Sequence, residues 1–278
     1  MFDNRANIND QRTNMPIPSI ADITPPFELE RRDWIAGLEK GLAVIEAFDA
    51  EHSRLTASQA GQRCGMTRTA VRRHLLTLVH LGYVATDGKM FSLTPRVLRL
   101  GQAYLESARL PRAVQPYLQR VTAGTGEVAY AGVLDQDELV YIARSGTHRQ
   151  LNTGYMLGAR VQAQVTAAGM ILLAMSGPER YEPWLARQEL RAYTSHTVVD
   201  RGELRVRLEQ IRSQGWALSE QQLEMNYRGI AVPLYDHKDS LVAAMSITMP
   251  MQTEASADAV RRVLPVLQDT ARSMRPML

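Results

Sequence analysis

Residues 67–78, TRTAVRRHLLTL, combine an apolar stripe with an arginine-rich face. Val71, Leu75 and Leu78 recur at the spacing of one face of an α-helix, and polar or basic side chains recur four residues apart on the opposite side. Those outward-facing side chains belong to Arg68, Thr69, Arg72 and Arg73. The pattern predicts a helix that packs into a core on one side and presents positive charge to a partner on the other.

The residues that precede this stretch predict a second, shorter helix. Thr56 is a suitable N-cap for a helix that runs through Arg63. The residues Cys64-Gly65-Met66 then make a tight connection, with Gly65 at the position that follows a helix end. Thr67 caps the basic helix. Two short helices joined by a glycine turn, the second with a basic outer face, are typical of a helix-turn-helix.

A strand pair is predicted directly after the basic helix. In YVATDGKMFSLTP, residues 83–95, Asp87-Gly88 separates two strand-like runs and is a strong signal for a two-residue hairpin. A hairpin in this place corresponds to the wing of a winged helix-turn-helix. Lys89 lies where the wing tip could contact a phosphate.

The chain after the wing predicts a linker and a second domain. A helix over residues 95–110, capped by Thr94, is predicted to end before Pro111. Beyond it, hairpin-paired strands such as residues 127–146 alternate with helices, which indicates an α+β domain on an antiparallel sheet. The predicted division is therefore a disordered arm, a winged helix-turn-helix, a linker helix and an effector-binding and oligomerisation domain, over residues 1–32, 33–94, 95–110 and 111–278.

Basic residues are concentrated around the predicted helix-turn-helix. Residues 52–101 carry eight Lys and Arg side chains against one acidic side chain, Asp87, which is a net charge of +7. Because the whole chain has a formal net charge of +3, the remainder carries −4. A basic segment on a mildly acidic body is the electrostatic footprint of a polyanion-binding module.

Composition narrows the class of protein. Hydrophobic residues make up 45% of the 278, which is enough for packed cores. No run approaches the roughly 20 consecutive apolar residues of a membrane helix, and the polar N-terminus lacks the apolar core of a signal peptide. We therefore expect a cytoplasmic protein without a membrane partner. The single cysteine, Cys64, can neither form an internal disulfide nor hold a metal alone.

Several stretches together resemble the IclR family of bacterial transcription regulators, over roughly residues 34–275. The resemblance rests on GLAVIEAF, LTASQAGQRCGMTRTAVRRHLLTLVHLGYV and FSLTPRVLRLGQAYL in the first half, and on LVYIAR, VTAAGMILLAM and RGIAVPLYD with LVAAMSIT in the second. Residues 67–101 look most like the branch that controls breakdown of aromatic acids such as 4-hydroxybenzoate and protocatechuate. The resemblance implies a winged helix-turn-helix, a linker helix and a GAF-like α/β effector domain, acting as a homodimer or a dimer of dimers.

The basic helix is the predicted contact to a double-stranded DNA operator. The N-terminal residues of such a helix meet base edges in the major groove, where arginine binds guanine O6 and N7 bidentately. Arg68 and Arg72 lie one turn apart and are predicted to contact bases. Thr67, Thr69 and Arg73 are candidates for phosphate contacts, together with Lys89 of the wing.

A small organic acid is the predicted effector. Thr166-Ala167-Ala168-Gly169 opens a helix whose free N–H groups favour a carboxylate. By resemblance, the pocket positions are Thr153, Val161, Ala167, Ala168, Ser219, Tyr227, Gly229, Ser246 and Thr248. Met156 and Tyr227 could flank an aromatic ring, and Arg160 or Arg144 could be alternative carboxylate partners. The sequence leaves 4-hydroxybenzoate, protocatechuate, terephthalate and β-ketoadipate open, as well as activation or repression.

Two other functions compete with an effector-responsive regulator. An enzyme with a vestigial DNA-binding module would need a catalytic set, but the six histidines are scattered and no nucleophile or metal motif is present. We therefore predict no catalytic activity, no metal and no cofactor. The other alternative is a constitutive DNA-binding protein whose second domain only oligomerises. Departures from the family pattern at Gln162, Tyr227 and Gly229 keep that alternative open.

Overall fold

The structure, a computed structural model, describes residues 29–30, 32–49, 51–146 and 155–278. Contacts divide the chain into two compact units, with the boundary between Ser107 and Ala108. The predicted arm, residues 1–32, lies almost entirely outside the described residues. In the part of the chain that the structure describes, no helix has the length and hydrophobicity that crossing a membrane requires.

The N-terminal unit is a winged helix-turn-helix. Its three short strands form an antiparallel sheet in the order β1-β3-β2. The helices pack on this sheet through a small apolar core that includes Val44, Val71, Leu75 and Phe91. In chain order the elements are α1 (Ala36–Glu46), β1 (Leu55–Thr56), α2 (Ala57–Arg63), α3 (Arg68–His80), β2 (Val84–Thr86), β3 (Met90–Leu93), a 3-10 turn (Pro95–Val97) and α4 (Leu98–Ser107).

Local hydrogen bonds explain why these short helices start where they do. The Thr56 hydroxyl accepts a hydrogen bond from Gln59 N (3.3 Å), and the Gln59 side chain accepts one from Thr56 N (2.9 Å). This reciprocal capping box supports the seven-residue α2. The Thr67 hydroxyl accepts from Ala70 N (3.3 Å) at the start of α3. Both caps agree with the sequence-based prediction.

The predicted linker helix is divided. It was expected to run to Leu110, but α4 ends at Ser107 and a new helix begins at Arg109. Pro111 is the third residue of that new helix, where the backbone N–H would have no acceptor within the helix. The proline therefore fits inside the first turn and does not mark the helix end that the sequence suggested.

The C-terminal unit has one antiparallel sheet of six strands, in the order β6-β5-β4-β9-β8-β7. This agrees with the predicted α+β class and antiparallel pairing. The three-residue strand β6 was not predicted, because it is too short to show a periodic pattern. The elements are α5 (Arg109–Thr125), β4 (Val128–Asp135), β5 (Glu138–Ser145), β6 (Arg160–Gln162), α6 (Ala167–Ser176), α7 (Pro178–Arg187), α8 (Arg201–Gln214), β7 (Ala217–Glu220), β8 (Tyr227–Tyr235), β9 (Leu241–Pro250) and α9 (Ser256–Met274).

Helices cover both faces of this sheet. Alternate residues of each strand enter different cores, as the two-residue period of a strand requires. On β8, Ala231 belongs to the core that also includes residues of α6, α7 and α8, whereas Ile230 belongs to the core that includes residues of α5 and α9. The buried helix α6 lies against the middle of the sheet, and its N-terminus defines the site described below.

Candidate functional site

The outer face of α3 is positively charged and accessible. Arg68, Thr69, Arg72 and Arg73 are exposed, while Val71 on the opposite side is fully buried. None of the three arginines forms an ion pair with another described residue. Their guanidinium groups are therefore available to an external anion, as the sequence predicted.

Other basic side chains of the same unit are used inside it. Arg63 donates from Nε to the carbonyl oxygen of Ala47 (2.7 Å) and pairs with Asp49, which ties α2 to the end of α1. The Arg96 guanidinium lies 5.4 Å from the centre of the Tyr83 ring. The net charge of residues 52–101 thus overstates the charge that faces outward.

The wing turn is held by an aspartate. Asp87 Oδ1 accepts hydrogen bonds from the backbone N–H groups of Met90 (2.7 Å) and Lys89 (3.0 Å), and Arg54 lies 2.6 Å from the other carboxylate oxygen. These hydrogen bonds, followed by the charge of Arg54, lower the pKa of Asp87. Gly88 has a φ of 94°, which suits the hairpin turn. Lys89 is left exposed at the tip.

The C-terminal unit contains a cavity of about 360 Å³ between α6 and the sheet. Eight of the twelve predicted effector positions line it: Thr166, Ala167, Ala168, Ser219, Tyr227, Gly229, Ser246 and Thr248. The other lining residues are Glu127, Val128, Tyr130, Tyr141, Tyr155, Val165, Gln222, Leu223, Glu224, Arg228, Ile247 and Pro250. Predicted residue Thr153 lies outside the described residues.

Three predicted positions are not part of the cavity lining. Met156 is 69% exposed. Arg160 donates from Nη1 to Asp135 Oδ2 (2.7 Å) and from Nε to Glu138 Oε2 (2.6 Å), so its charge is already paired. Val161, the next residue on β6, is buried in the apolar core beneath the sheet. Spacing along the sequence could not reveal these ion pairs, which depend on how β6 pairs with β5.

The N-terminus of α6 supplies hydrogen-bond donors to the cavity. The Thr166 hydroxyl accepts from Gly169 N (3.0 Å), and the first helical bond joins Met170 N to Thr166 O (2.9 Å). The N–H groups of Ala167 and Ala168 therefore have no acceptor within the helix, and the helix dipole favours an anion beside them.

Strands opposite α6 keep this end of the helix open. A Cβ atom at Gly229 would lie 3.4 Å from the Cβ of Ala167, so glycine leaves room beside the helix. Ser246 and Thr248 alternate on β9 and face the same side. The Ser219 hydroxyl donates to the carbonyl oxygen of Val165 (3.2 Å), which fixes the turn that leads into α6.

Three tyrosines form the aromatic side of the cavity. The rings of Tyr141 and Tyr155 stack with centres 5.0 Å apart and an angle of 12°, and Tyr130 lies 5.0 Å from Tyr141 at a tilt of 50°. Burial, with a contribution from Glu224, raises the pKa of Tyr155 to about 12, and burial raises the pKa values of Tyr141 and Tyr130 above their ordinary value. All three hydroxyls stay protonated at neutral pH. Sequence analysis did not select these residues, although Tyr130 and Tyr141 lie in the predicted hairpin.

Comparison with known proteins decides the family. A model of the IclR helix-turn-helix domain matches residues 37–88, and a model of the C-terminal domain of bacterial IclR transcriptional regulators matches residues 102–275. The chain belongs to the IclR family. The regulator is 37% identical to the Pca operon regulatory protein of Acinetobacter baylyi over 90% of this chain and 91% of that protein.

Two further matches point to the same branch of regulators. The p-hydroxybenzoate hydroxylase transcriptional activator of Acinetobacter baylyi is 36% identical, over 90% of this chain and 94% of its own length. The crystal structure of a double mutant of the PobR inducer-binding domain from Acinetobacter, in complex with 3-hydroxybenzoic acid, matches with a TM-score of 0.57 and 28% identity. That match covers 60% of this chain and 98% of the solved chain. The chain is therefore a transcriptional regulator of the Pca and PobR type.

Proposed function

We propose that this regulator binds an aromatic carboxylate, such as 4-hydroxybenzoate or protocatechuate, in the cavity of its C-terminal unit. Binding would control transcription of catabolic genes through an operator contacted by α3. The observation that carries the proposal is a helix N-terminus that opens into a tyrosine-lined cavity of about 360 Å³. That volume is within the range of small-molecule sites. A match to a 3-hydroxybenzoic acid complex supports the same chemistry.

The cavity offers a different partner to each part of such a molecule. A carboxylate would accept hydrogen bonds from the N–H groups of Ala167 and Ala168, where the helix dipole is favourable. An aromatic ring would pack against the tyrosine cluster, because tilted and stacked rings attract each other. Hydroxyl substituents could exchange hydrogen bonds with Ser246 and with protonated tyrosine hydroxyls.

DNA binding would use the exposed groups of the N-terminal unit, in the cytoplasm where the operator lies. Arg68 and Arg72 are proposed to contact bases, and Thr67, Thr69, Arg73 and Lys89 to contact phosphates. A homodimer or dimer of dimers would place α3 helices on half-sites about 34 Å or a multiple apart. We propose no catalytic role, since the relatives are named as regulators.

Thermal unfolding against a panel of acids tests the effector proposal. A ligand at 100 times its Kd should add about 2.7 kcal/mol to the free energy of unfolding, and so raise the melting temperature of the C-terminal unit. The panel should include 4-hydroxybenzoate, protocatechuate, benzoate and β-ketoadipate, with isothermal titration calorimetry of each acid that raises the melting temperature.

Two variants show whether the rise in melting temperature comes from binding in the cavity. Gly229→Leu should fill the space beside Ala167, because Gly229 faces the start of α6. The acids should then no longer raise the melting temperature. Met156→Ala is the matched control, since Met156 is exposed and outside the lining, and it should keep the full shift. If no acid stabilises the wild-type protein, the constitutive alternative replaces this proposal.

A further inference from the structure

Among the described lining residues, three side chains carry a charge at neutral pH, and two of them have a partner of opposite charge. Glu127 Oε1 accepts a hydrogen bond from Arg262 Nη2 (2.9 Å). Arg228 is buried, and its Nε forms an ion pair with Glu220 Oε1 at 3.1 Å, although neither Nε nor Nη1 has a hydrogen-bond partner among the described residues. The Glu224 side chain has no hydrogen bond or ion pair with any described residue. The unbalanced charge of the cavity wall is therefore a carboxylate.

Glu224 belongs to a loop that is fixed in place. The loop joins β7 to β8 over residues 221–226. The Gln222 side chain donates to the carbonyl oxygen of His196 (2.7 Å) and accepts from Val198 N (2.9 Å). The hydroxyl of Thr197 donates to the carbonyl oxygen of Gln222 (2.6 Å). These hydrogen bonds hold the segment that carries Glu224 at the cavity.

Glu224 is an exposed residue of the cavity lining. Its carboxylate contributes to the raised pKa of Tyr155, whose ring stacks on Tyr141. A sphere of the cavity's volume is about 9 Å across, close to the Debye length of about 8 Å at physiological ionic strength. Because Glu224 is exposed, solvent and salt weaken its repulsion of an anion inside the cavity but do not abolish it over this distance.

We infer that Glu224 is a specificity-determining residue that disfavours effectors with a second carboxylate. The inference rests on the proposed function, in which the first carboxylate lies at the N-terminus of α6. A second carboxylate would then share the remaining space with the charge of Glu224, and Arg228, the described lining residue with a positive charge, is already paired with Glu220. A hydroxyl in that position carries no charge. The favoured effector class is therefore an aromatic monocarboxylate with uncharged substituents, rather than a dicarboxylate.

Two ligands that differ in one substituent test this inference. 4-Hydroxybenzoate and terephthalate share a benzoate and differ in the para group, a hydroxyl against a carboxylate. We would measure both affinities by isothermal titration calorimetry for the wild-type protein, Glu224→Gln and Glu224→Lys. The matched control is Glu189→Gln, because Glu189 is exposed, paired with Arg191 and outside the cavity lining.

The measured quantity is the ratio of the terephthalate affinity to the 4-hydroxybenzoate affinity. It should rise at least about threefold in Glu224→Gln, rise further in Glu224→Lys and stay unchanged in the control, since the charge effect depends on sign and distance. A ratio that is the same in all four proteins overturns the inference but leaves the proposed function intact. Absence of binding for 4-hydroxybenzoate and every other panel acid, in wild type and variants alike, overturns both.

Discussion

The arginines of the N-terminal unit fall into two groups, those that are exposed without an ion pair and those that contact other residues of the unit. Arg72 is exposed on α3 and has no ion pair with a described residue, whereas Arg63 donates to the carbonyl oxygen of Ala47 and pairs with Asp49. Loss of an exposed, unpaired side chain changes stability by no more than about 0.5 kcal/mol. Loss of Arg63 removes a contact between two helices.

Arg72→Ala should therefore weaken operator binding without affecting folding. We expect a loss of about 1–3 kcal/mol in discrimination between the operator and unrelated DNA, because the substitution would remove the proposed arginine–guanine contact. An operator selected from random duplexes by the wild-type protein provides the probe for fluorescence anisotropy. Urea unfolding should show an unchanged free energy for Arg72→Ala and a reduced one for Arg63→Ala. Undiminished discrimination in Arg72→Ala would refute the base contact.

The sequence indicated the polar side of the cavity better than the aromatic side. Ser246 and Thr248 could be selected because they alternate on a strand, and Thr166 because it begins the stretch that was predicted to open a helix. Tyr130, a strand residue with no distinguishing motif, could not be selected, since its contact with Tyr155 joins residues far apart in the chain. Glu224 was missed for the same reason, as its loop is positioned by hydrogen bonds to residues 196–198.

Among the elements, α6 depends on a close approach that only glycine allows. A Cβ atom at Gly169 would overlap the carbonyl oxygen of Ala163, in the 3-10 turn that precedes the helix. By contrast, Gly124 lies in α5, where an added Cβ would make an ordinary contact of 3.6 Å with Val266. Substitution by alanine should therefore change the free energy of unfolding in opposite directions at these two glycines.

Gly169→Ala should lower the free energy of unfolding by about 1–3 kcal/mol, the usual cost of forcing extra volume into a packed core. It should also weaken effector binding, because the backbone that carries the α6 donors must shift. Gly124→Ala should be neutral or stabilising by up to about 1 kcal/mol, since alanine is the better helix former. Urea unfolding of both variants checks the prediction. Equal stability for the two would show that the turn before α6 relaxes freely.

Element predictions succeeded where the pattern was long or strongly capped. The helices α3 and α6 begin directly after Thr67 and Thr166, in agreement with the predicted cap at Thr67 and the predicted helix start near Thr166. The break between α4 and α5 was missed because a proline inside a first turn resembles a proline that ends a helix. The strands β1 and β6 were missed because their two and three residues are defined by pairing with distant strands.

At the scale of the whole molecule, regulation requires that effector binding to one unit is energetically coupled to operator binding by the other. The proposed DNA-contacting groups lie on α3 of one unit, and the proposed effector cavity lies beside α6 of the other. An effector can change operator binding only if its affinity differs between the DNA-bound and free states. The charge division supports separate roles, since the basic segment of residues 52–101 belongs to the unit that ends at Ser107.

Because of thermodynamic linkage, the coupling between effector binding and operator binding can be measured from either ligand. If the effector changes operator affinity by some factor, the operator must change effector affinity by the same factor, typically about 5- to 150-fold. We would measure operator affinity by anisotropy with and without saturating effector, and effector affinity by calorimetry with and without operator duplex. Arg72→Ala should lose the effect of the duplex on effector binding but keep the effector affinity of the free protein. If the effector affinity is the same with and without bound operator, the two units are not coupled. The C-terminal cavity would then have no part in controlling DNA binding.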